Sequence, residues 1–210
     1  MIRLLGQVPK EVYVAVSGGA DSMAALDFLV KGKRSVHALH FDHGTPHGSD
    51  ARKFVVDYCS TAGIPLTVST IAREKLPSES MEEFWRNERI RFFREHSNAP
   101  VVTAHHLDDA VEWWIFTSLN GNPTLMRGAN PSSNVIRPFL MVPKETLISW
   151  CTRKDVPFVH DPSNESRNHN RNRIRHDIIP HALMVNPGLR TVIRKKIADA
   201  HVTVQEALCS

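Results

Sequence analysis

Short apolar runs alternate with longer amphipathic stretches along most of the chain. Short runs rich in β-branched residues indicate strands, and longer stretches with apolar residues three and four positions apart indicate helices. The predicted strands are residues 12–16, 35–42, 66–71, 101–104 and 135–140. The predicted helices are residues 20–31, 51–62, 82–96, 108–119 and 144–154. This alternation predicts an α/β fold, with a parallel sheet covered by helices on both faces.

The remaining segments indicate the domain organisation. Residues 120–134 are rich in Gly, Asn, Pro and Ser and are predicted to form a loop. After Asp161, a polar, arginine-rich stretch leads to a helix that ends near Pro187, and a second helix begins at about Leu189. A chain of 210 residues is long enough for one full α/β domain and a short appendage. We therefore predict one main domain over residues 1–160 and a helical extension over residues 161–210 that packs on it.

The composition indicates in which cellular compartment the protein is expected to function. No apolar run approaches the roughly 20 residues that span a bilayer, and residues 1–10 do not resemble a secretory signal. The three cysteines, Cys59, Cys151 and Cys209, are widely spaced and include no Cys-x-x-Cys pair, so neither a disulfide framework nor a cysteine metal site is predicted. A cytoplasmic protein without membrane contact is the simplest expectation. The net charge of +4 permits a nucleic-acid partner but does not identify one.

Two glycines separate the first predicted strand from the first predicted helix. The segment reads Ser17-Gly18-Gly19-Ala20-Asp21-Ser22. Glycines let backbone N–H groups approach phosphate oxygens, and the N-terminus of the following helix favours an anion. Asp21 is expected to hold the Mg²⁺ that accompanies a polyphosphate, and Ser17 and Ser22 to donate hydroxyl hydrogen bonds. The segment lacks the Gly-Lys-Ser/Thr of Walker-type loops, and on the glycines alone a plain strand-to-helix turn is the alternative.

Three carboxylates follow the fourth predicted strand. Asp108, Asp109 and Glu112 lie within about 100° of one another on the predicted helix, because residues three and four apart share a face. Such carboxylates repel one another unless a cation lies among them, and Mg²⁺ or a substrate ammonium group would serve. His106, just before the helix, is placed to contact a phosphate or a reacting base. The alternative is that Asp108 and Asp109 only cap the helix, which leaves Glu112 unexplained.

Several arginines stand close together near the end of the chain. They are Arg167, Arg171, Arg173 and Arg175, and no acidic residue lies between the first and the last of them. Arginine forms bidentate contacts with phosphate, so this stretch is a candidate surface for an RNA backbone or a nucleotide phosphate. The alternative is that they form ion pairs with the nearest acidic residues along the chain, which are Asp161, Glu165 and Asp177.

A second basic set lies on the third predicted helix. Glu82, Arg86 and Arg89 share one helix face at i, i+4 and i+7. By spacing alone, this set indicates an intrahelical salt-bridge ladder.

Taken in order, these motifs resemble those of the tRNA(Ile)-lysidine synthetases, which belong to the N-type ATP pyrophosphatase, or PP-loop, superfamily. The Ser-Gly-Gly-x-Asp-Ser string after a hydrophobic strand is the signature of the superfamily. The stretches that match the family are residues 17–22, 41–44, 82–89, 103–112, 137–138, 161–164 and 171–180. The resemblance therefore extends over nearly the whole chain.

The resemblance implies a Rossmann-like, adenine nucleotide alpha hydrolase-like fold and a ligase that uses ATP and Mg²⁺. Enzymes of this family adenylate a carbonyl oxygen of the wobble cytidine in an isoleucine tRNA with a CAU anticodon, and the ε-amine of free lysine then displaces AMP. ATP would be bound by Ser17, Gly18, Gly19, Ala20, Asp21 and Ser22, with Asp21 also on the metal. The catalytic residues would be Asp21, His106, Asp109 and Glu112, of which the last two would bind lysine. RNA or nucleotide phosphate would contact Arg86, Arg89, Arg137, Arg171 and Arg175.

Two departures from the family pattern keep alternatives open. The loop at residues 119–123 lacks the Arg-Gly-x-Gly pattern common in the family, and the C-terminal domains of many members have no counterpart in the 210 residues. A minimal enzyme, a truncated one, and an enzyme that adenylates another RNA or a small molecule all fit. A tRNA thiolase is disfavoured because Cys59 and Cys151 lie outside the motifs, and a non-catalytic ATP-binding module would not explain Asp109 and Glu112. The sequence leaves the oligomeric state open.

Overall fold

A computed structural model describes residues 1–130, 133–160, 167 and 170–209, without the side chains of residues 46, 47 and 202–209. The strands are β1 (Glu11–Ala15), β2 (Ser35–Asp42), β3 (Leu66–Thr70), β4 (Val101–Val102), β5 (Ala129–Asn130) and β6 (Val135–Ile136). The helices are α1 (Ala20–Lys31), α2 (Pro46–Ala62), α3 (Met81–His96), α4 (Leu107–Leu119), α5 (Lys144–Lys154), α6 (Asn170–Arg173), α7 (Ile179–Val185) and α8 (Leu189–Cys209). A π-helical segment, Ile174–Ile178, joins α6 to α7. The Asp161-Pro162-Ser163-Asn164 motif lies outside the described residues.

The six strands form one sheet in the order β3-β2-β1-β4-β6-β5. All neighbouring strands are parallel except β5 and β6, which pair antiparallel. The order reverses between β1 and β4, because β2 and β3 lie on one side of β1 and the later strands lie on the other. Ligands of open α/β sheets bind at such a reversal, beyond the carboxyl ends of the strands. The segments that follow β1 and β4 therefore meet where a ligand site is expected.

Alternate residues of β1 face two different helical layers. Val12 and Val14 are buried in a cluster with Met23 and Leu26 of α1 and with residues of α2 and α5. Tyr13 and Ala15 instead pack against the cluster that includes Phe92 and Phe93 of α3. Since successive side chains of a strand point to opposite faces, the sheet is covered on both sides. This confirms the predicted α/β fold class, with an antiparallel edge strand that the sequence analysis did not predict.

Two segments differ from the sequence prediction for identifiable reasons. Helix α2 begins five residues earlier than expected, because Thr45 caps it by accepting a hydrogen bond from the Gly48 N–H at 3.2 Å and a proline follows the cap. The predicted strand at residues 135–140 ends at Ile136, where Pro138 has no N–H to donate. The chain then turns, with the Leu140 N–H bonded to the Arg137 carbonyl at 3.2 Å. Phe139 and Leu140 are fully buried within that turn. The apolar residues at this position therefore indicated a buried segment and not a strand.

Helix α8 of the C-terminal extension packs against α4. Ile193 and Ile197 of α8 are buried with Leu107 and Val111 of α4 in one cluster. The predicted boundary between residues 160 and 161 adjoins residues outside the description and stays a prediction. Across the described part of the chain, no helix is long and apolar enough to cross a bilayer.

Candidate active site

The glycine-rich segment between β1 and α1 forms a loop that Ser22 closes. The Ser22 hydroxyl accepts a hydrogen bond from the Ser17 N–H at 3.1 Å and donates to the Gly19 carbonyl at 2.9 Å. Gly19 is the N-cap of α1 and offers no side-chain cap, so the first N–H groups of the helix lack the partner that a capping side chain would give them. Ser22 therefore shapes the loop, while backbone N–H groups are available for a phosphate.

Gly18 is the position of the loop that requires a glycine. Its φ is +90°, a conformation that side-chain-bearing residues rarely adopt. A Cβ at this position would lie 3.0 Å from the Val159 side chain, and the Gly18 carbonyl accepts a hydrogen bond from the Val159 N–H at 2.9 Å. The conformation of the loop is thus fixed from outside by the segment after α5.

Asp21 lies in the first turn of α1, and its two carboxylate oxygens differ in their contacts. Its Oδ2 lies 3.5 Å from Nε2 of His106 and 4.0 Å from Nζ of Lys144. Its Oδ1 is buried and, among the residues that the structure describes, has no hydrogen-bond partner. Among the described residues, no group of three or more acidic, histidine or cysteine side chains could hold a metal ion. A single free carboxylate oxygen suits Mg²⁺, which binds through one or two carboxylates and otherwise through water and substrate phosphates.

His106 and Asp109 cap α4 reciprocally. The His106 N–H donates to Asp109 Oδ2 at 3.0 Å, and the Asp109 N–H donates to His106 Nδ1 at 3.3 Å. This is the capping-box arrangement, with a histidine in place of the usual serine or threonine. Because Nδ1 accepts a hydrogen bond, the proton of the neutral ring lies on Nε2, which faces Asp21. The capping alternative is therefore correct for Asp109, and it places His106 between two carboxylates.

The two carboxylates around His106 determine its charge. Burial alone would lower the pKa of His106, but the charge of Asp109 and the contact with Asp21 outweigh burial and raise it. Burial would likewise raise the pKa of Asp109, and the neighbouring His106 and Arg175 charges lower it instead. Since His106 has a raised pKa in the folded state, its contribution to stability is complete below its ordinary pKa of 6.5 and is lost as the pH rises through the folded value.

We expect His106 to titrate above 6.5 in an NMR pH titration of its ring signals, and Asp109→Asn to lower that midpoint. The reason is that Asp109 makes the largest favourable contribution to the charged ring. His37 is a suitable internal control, because burial alone lowers its pKa and its ring bonds to Thr67 on a neighbouring strand. A His106 midpoint below 6.5 in the unsubstituted protein would contradict this assignment.

Glu112 is almost fully buried, at 1% exposure, and is paired with two arginines from the C-terminal extension. Its Oε1 accepts from Arg171 Nε at 2.7 Å, and its Oε2 lies 2.7 Å from Arg175 Nη2. The same Nη2 lies 3.2 Å from Asp109 Oδ1. One arginine nitrogen thus occupies a cation position between the two carboxylates that the sequence analysis assigned to lysine.

The third carboxylate of α4 faces other partners. Asp108 accepts from Arg190 Nε of α8 at 2.8 Å and from the Lys144 N–H at the start of α5 at 2.9 Å. The cation expected among these carboxylates is therefore supplied by the chain itself. The local ion-pair alternative holds for Arg167, whose Nη2 lies 3.4 Å from Asp177 Oδ1, whereas Arg171 and Arg175 pair with acidic residues of α4. The cations that balance the α4 carboxylates are arginines of the same chain, and for Arg171 and Arg175 the acidic partners are distant in sequence. Glu82 likewise pairs with Arg171 at 3.4 Å and, within the described part of the chain, forms no ladder with Arg86.

A second group of arginines lies apart from the described carboxylates. Within the described ranges, no carboxylate lies within ion-pair distance of Arg86, Arg89 or Arg137. Burial and the charges of the other two arginines lower the pKa of Arg137 to about 10, and its Nε is buried without a partner. Burial, aided by the Arg89 charge, lowers the pKa of His43 to about 4 and that of His105 to about 3. Histidines held neutral beside arginines that lack a described carboxylate partner form an electropositive cluster suited to an anion.

The predicted residues thus fall into two groups at one edge of the sheet. Asp21, His106, Asp109, Arg175 and Glu112 form one continuous chain of contacts, and Arg171 extends it. The Arg171 charge also lowers the pKa of Arg89, after burial and the Arg86 charge, so the electropositive cluster lies close to that chain of contacts. Lys144, whose Nζ lies beside Asp21, was not among the predicted site residues. A signal for it exists: a lysine in the first turn of a helix, where an acid is preferred.

With this geometry established, comparison with known proteins identifies the family. Residues 3–182 match the PP-loop domain. The chain belongs to the PP-loop family. This PP-loop protein is 34% identical over 205 residues to a tRNA(Ile)-lysidine synthase of Nitratidesulfovibrio vulgaris, covering 90% of this chain and 59% of the relative. It is also 34% identical over 184 residues to a tRNA(Ile)-lysidine synthase of Bacillus licheniformis, covering 79% of this chain and 38% of the relative.

The PP-loop fold is also seen in distant solved structures. A U34-tRNA thiolase from Methanococcus maripaludis matches with a TM-score of 0.72 at 15% identity, covering 91% of this chain and 72% of the thiolase. The chain spans three fifths or less of the length of the curated relatives described above. The resemblance to the lysidine synthetases and the fold class that it implies are therefore confirmed.

Proposed function

We propose that this PP-loop protein supplies the catalytic part of a ligase that adenylates the wobble cytidine of an isoleucine tRNA with ATP and joins free lysine to it. The observation that carries the proposal is the chain of contacts from Asp21 through His106 to Asp109 and Glu112. It connects the phosphate loop after β1 to the carboxylates after β4. An ATP phosphate and an amine cation would thus be bound side by side.

In the first step, a carbonyl oxygen of cytidine bonds to the α-phosphorus of ATP, and the bond from that phosphorus to the β-phosphate oxygen breaks. Backbone N–H groups at the start of α1 would bind the phosphates, and Asp21 would hold Mg²⁺, which neutralises phosphate charge when bound. The electron pair leaves with pyrophosphate. Such a reaction depends on positioning and electrostatics rather than on a protein nucleophile.

In the second step, the lysine ε-amine bonds to the activated carbon, and the carbon–oxygen bond to AMP breaks. We propose that the lysine ammonium first takes the position that Arg175 Nη2 holds between Asp109 and Glu112. This is supported by the fact that both carboxylates already share one cation. Loss of a proton from the ammonium produces the nucleophilic amine, and a carboxylate or the uncharged His106 can accept it.

The arginines would bind the RNA. We propose that Arg86, Arg89 and Arg137 contact tRNA phosphates, because they lack carboxylate partners within the described ranges. Arg171 and Arg175 would join them once lysine replaces Arg175 at the carboxylates. We also propose a main catalytic domain over residues 1–160, an extension over residues 161–210, and a cytoplasmic setting. The free, buried Cys59 and Cys151 agree with a reducing compartment.

Sulfur transfer is the alternative suggested by the thiolase-like fold. It requires an accessible, ionisable cysteine. Burial raises the pKa values of Cys59 and Cys151 to about 11, and both side chains lie in the cluster that packs against α1. Within the part of the chain whose side chains are described, sulfur transfer therefore lacks a candidate residue.

We expect labelled lysine to appear in cytidine when the protein is incubated with ATP, Mg²⁺ and an isoleucine tRNA bearing a CAU anticodon. Digestion to nucleosides and mass spectrometry measure the product. An otherwise identical tRNA with a UAU anticodon, which lacks the wobble cytidine, is the control for the acceptor base. AMP and pyrophosphate formation without lysine incorporation at saturating RNA would reject the lysine acceptor but retain adenylation. Formation of ADP would reject both.

A further inference from the structure

Lys144 is the first residue of α5, and its backbone is held firmly. Its N–H donates to Asp108 Oδ2 at 2.9 Å, and Asp108 is itself paired with Arg190 at 2.7 Å. Helix α5 packs along α1, the helix that begins at the phosphate loop. The start of α5 is therefore fixed at the start of α4, next to the segment that follows β4.

The side chain of Lys144 extends from this anchored backbone to the phosphate loop. Its Nζ lies 4.0 Å from Asp21 Oδ2, and its side chain is 39% exposed. Within the described ranges, no second carboxylate lies within ion-pair distance of this ammonium group. The buried, unpartnered Oδ1 of Asp21 lies on the same carboxylate. An ammonium group and a free metal-binding oxygen are thus presented together.

Local stability does not account for a lysine at this position. The N-terminal end of a helix carries partial positive charge and disfavours a cation. A half-exposed ion pair at the limit of contact distance stabilises a fold little. A residue that local physics disfavours, at the edge of a ligand site, is a candidate for a functional role.

We propose that Lys144 binds the pyrophosphate portion of ATP and stabilises the charge that develops on it as the bond to the α-phosphorus breaks. This inference rests on the proposed adenylation chemistry and adds a substrate-contacting residue to it. When that bond breaks, its electron pair moves to the oxygen that becomes part of pyrophosphate. A lysine ammonium is a compact charge suited to such an oxygen. It would complement Mg²⁺ on Asp21, because both would neutralise the same leaving group.

The test compares Lys144→Met with Lys154→Met, which removes the same charge from the other end of α5. Lys154 lies over the Trp150 ring, with its Nζ 5.7 Å from the ring centroid, and within the described ranges it forms no ion pair with Asp21. Isothermal titration with inorganic pyrophosphate and with AMP, both in Mg²⁺, measures the two affinities separately. We expect Lys144→Met to weaken pyrophosphate binding roughly ten- to a hundredfold, as for one lost charged hydrogen bond, and to leave AMP binding unchanged. Lys154→Met should change neither.

Lys144→Arg keeps the charge and should therefore retain most of the pyrophosphate affinity. This variant shows whether the loss in Lys144→Met comes from the charge or from a change in the fold. Pyrophosphate affinity of Lys144→Met equal to that of the unsubstituted protein would reject the inference. An equal loss of AMP and pyrophosphate affinity would also reject it, since the lysine would then act on the whole site. If the unsubstituted protein bound neither AMP nor pyrophosphate, the proposed adenylation itself would fail, and that result is distinguishable from the other two.

Discussion

Asp21→Asn should lower the rate of AMP and pyrophosphate formation about a thousandfold, because it removes the charged oxygen available to Mg²⁺ and each 1.36 kcal/mol of lost transition-state stabilisation costs tenfold. The fold should stay intact, since Oδ1 of Asp21 has no partner to lose and Oδ2 makes only long contacts. Product analysis of an ATP turnover reaction, together with the melting temperature of each protein, measures both effects.

Asp27→Asn is the matched control. Asp27 lies on the same helix as Asp21, but its carboxylate holds other side chains in place and is not proposed to bind Mg²⁺. Asp27 is buried and accepts hydrogen bonds from Trp150 Nε1 at 2.7 Å and from Lys31 Nζ at 3.0 Å. Its substitution should lower the melting temperature and retain turnover. Asp21→Asn with normal turnover would refute the metal role. A large loss of melting temperature in Asp21→Asn would indicate instead that the carboxylate is structural.

Local signals in the sequence predicted the phosphate loop and its helix well. Helix α1 has the predicted bounds because Gly18 and Gly19 interrupt the chain before it and Gly32 follows it directly. Strand β2 also has its predicted bounds, since Gly32-Lys33-Arg34 precede it and His43-Gly44 follow it. Where the signal is confined to a few neighbouring residues, sequence reasoning recovers both the element and its ends.

The partners of the arginines were not predictable in the same way. Arg171 and Glu112 are 59 residues apart, and Arg175 and Asp109 are 66 apart. The sequence analysis weighed only neighbouring acids against phosphate, because pairing over such distances depends on how α6 and the π-helical segment dock on α4. Lys144 was missed for the same reason, since its proximity to Asp21 arises from the packing of α5 on α1. Sequence patterns named the local pair of Arg167 and Asp177, which lie 3.4 Å apart, but not the opposite charges that Arg171, Arg175 and Lys144 meet.

Glu112→Gln should destabilise the protein by about 2–3 kcal/mol, a value reduced from the usual effect of breaking a buried ion pair because the arginines are partly exposed. The substitution keeps the shape of the side chain but leaves Arg171 and Arg175 close together without their shared anion. For a chain of this length, the melting temperature should fall by roughly 4–12 °C. If Glu112 also binds the lysine substrate, the lysine concentration required for half-maximal incorporation should rise more than that of ATP.

Glu82→Gln separates these effects, because Glu82 pairs with the same Arg171 but is 69% exposed and lies 3.4 Å from it. Its removal should change stability by less than about 1 kcal/mol. A double-mutant cycle between Glu112→Gln and Arg175→Met isolates the pair itself, and we expect the double mutant to be more stable than the sum of the two single losses predicts. An unchanged melting temperature in Glu112→Gln with a raised lysine requirement would mean that the arginines find another anion and that Glu112 serves lysine alone. A lowered melting temperature with an unchanged lysine requirement would assign Glu112 to holding the arginines and leave Asp109 as the remaining lysine carboxylate.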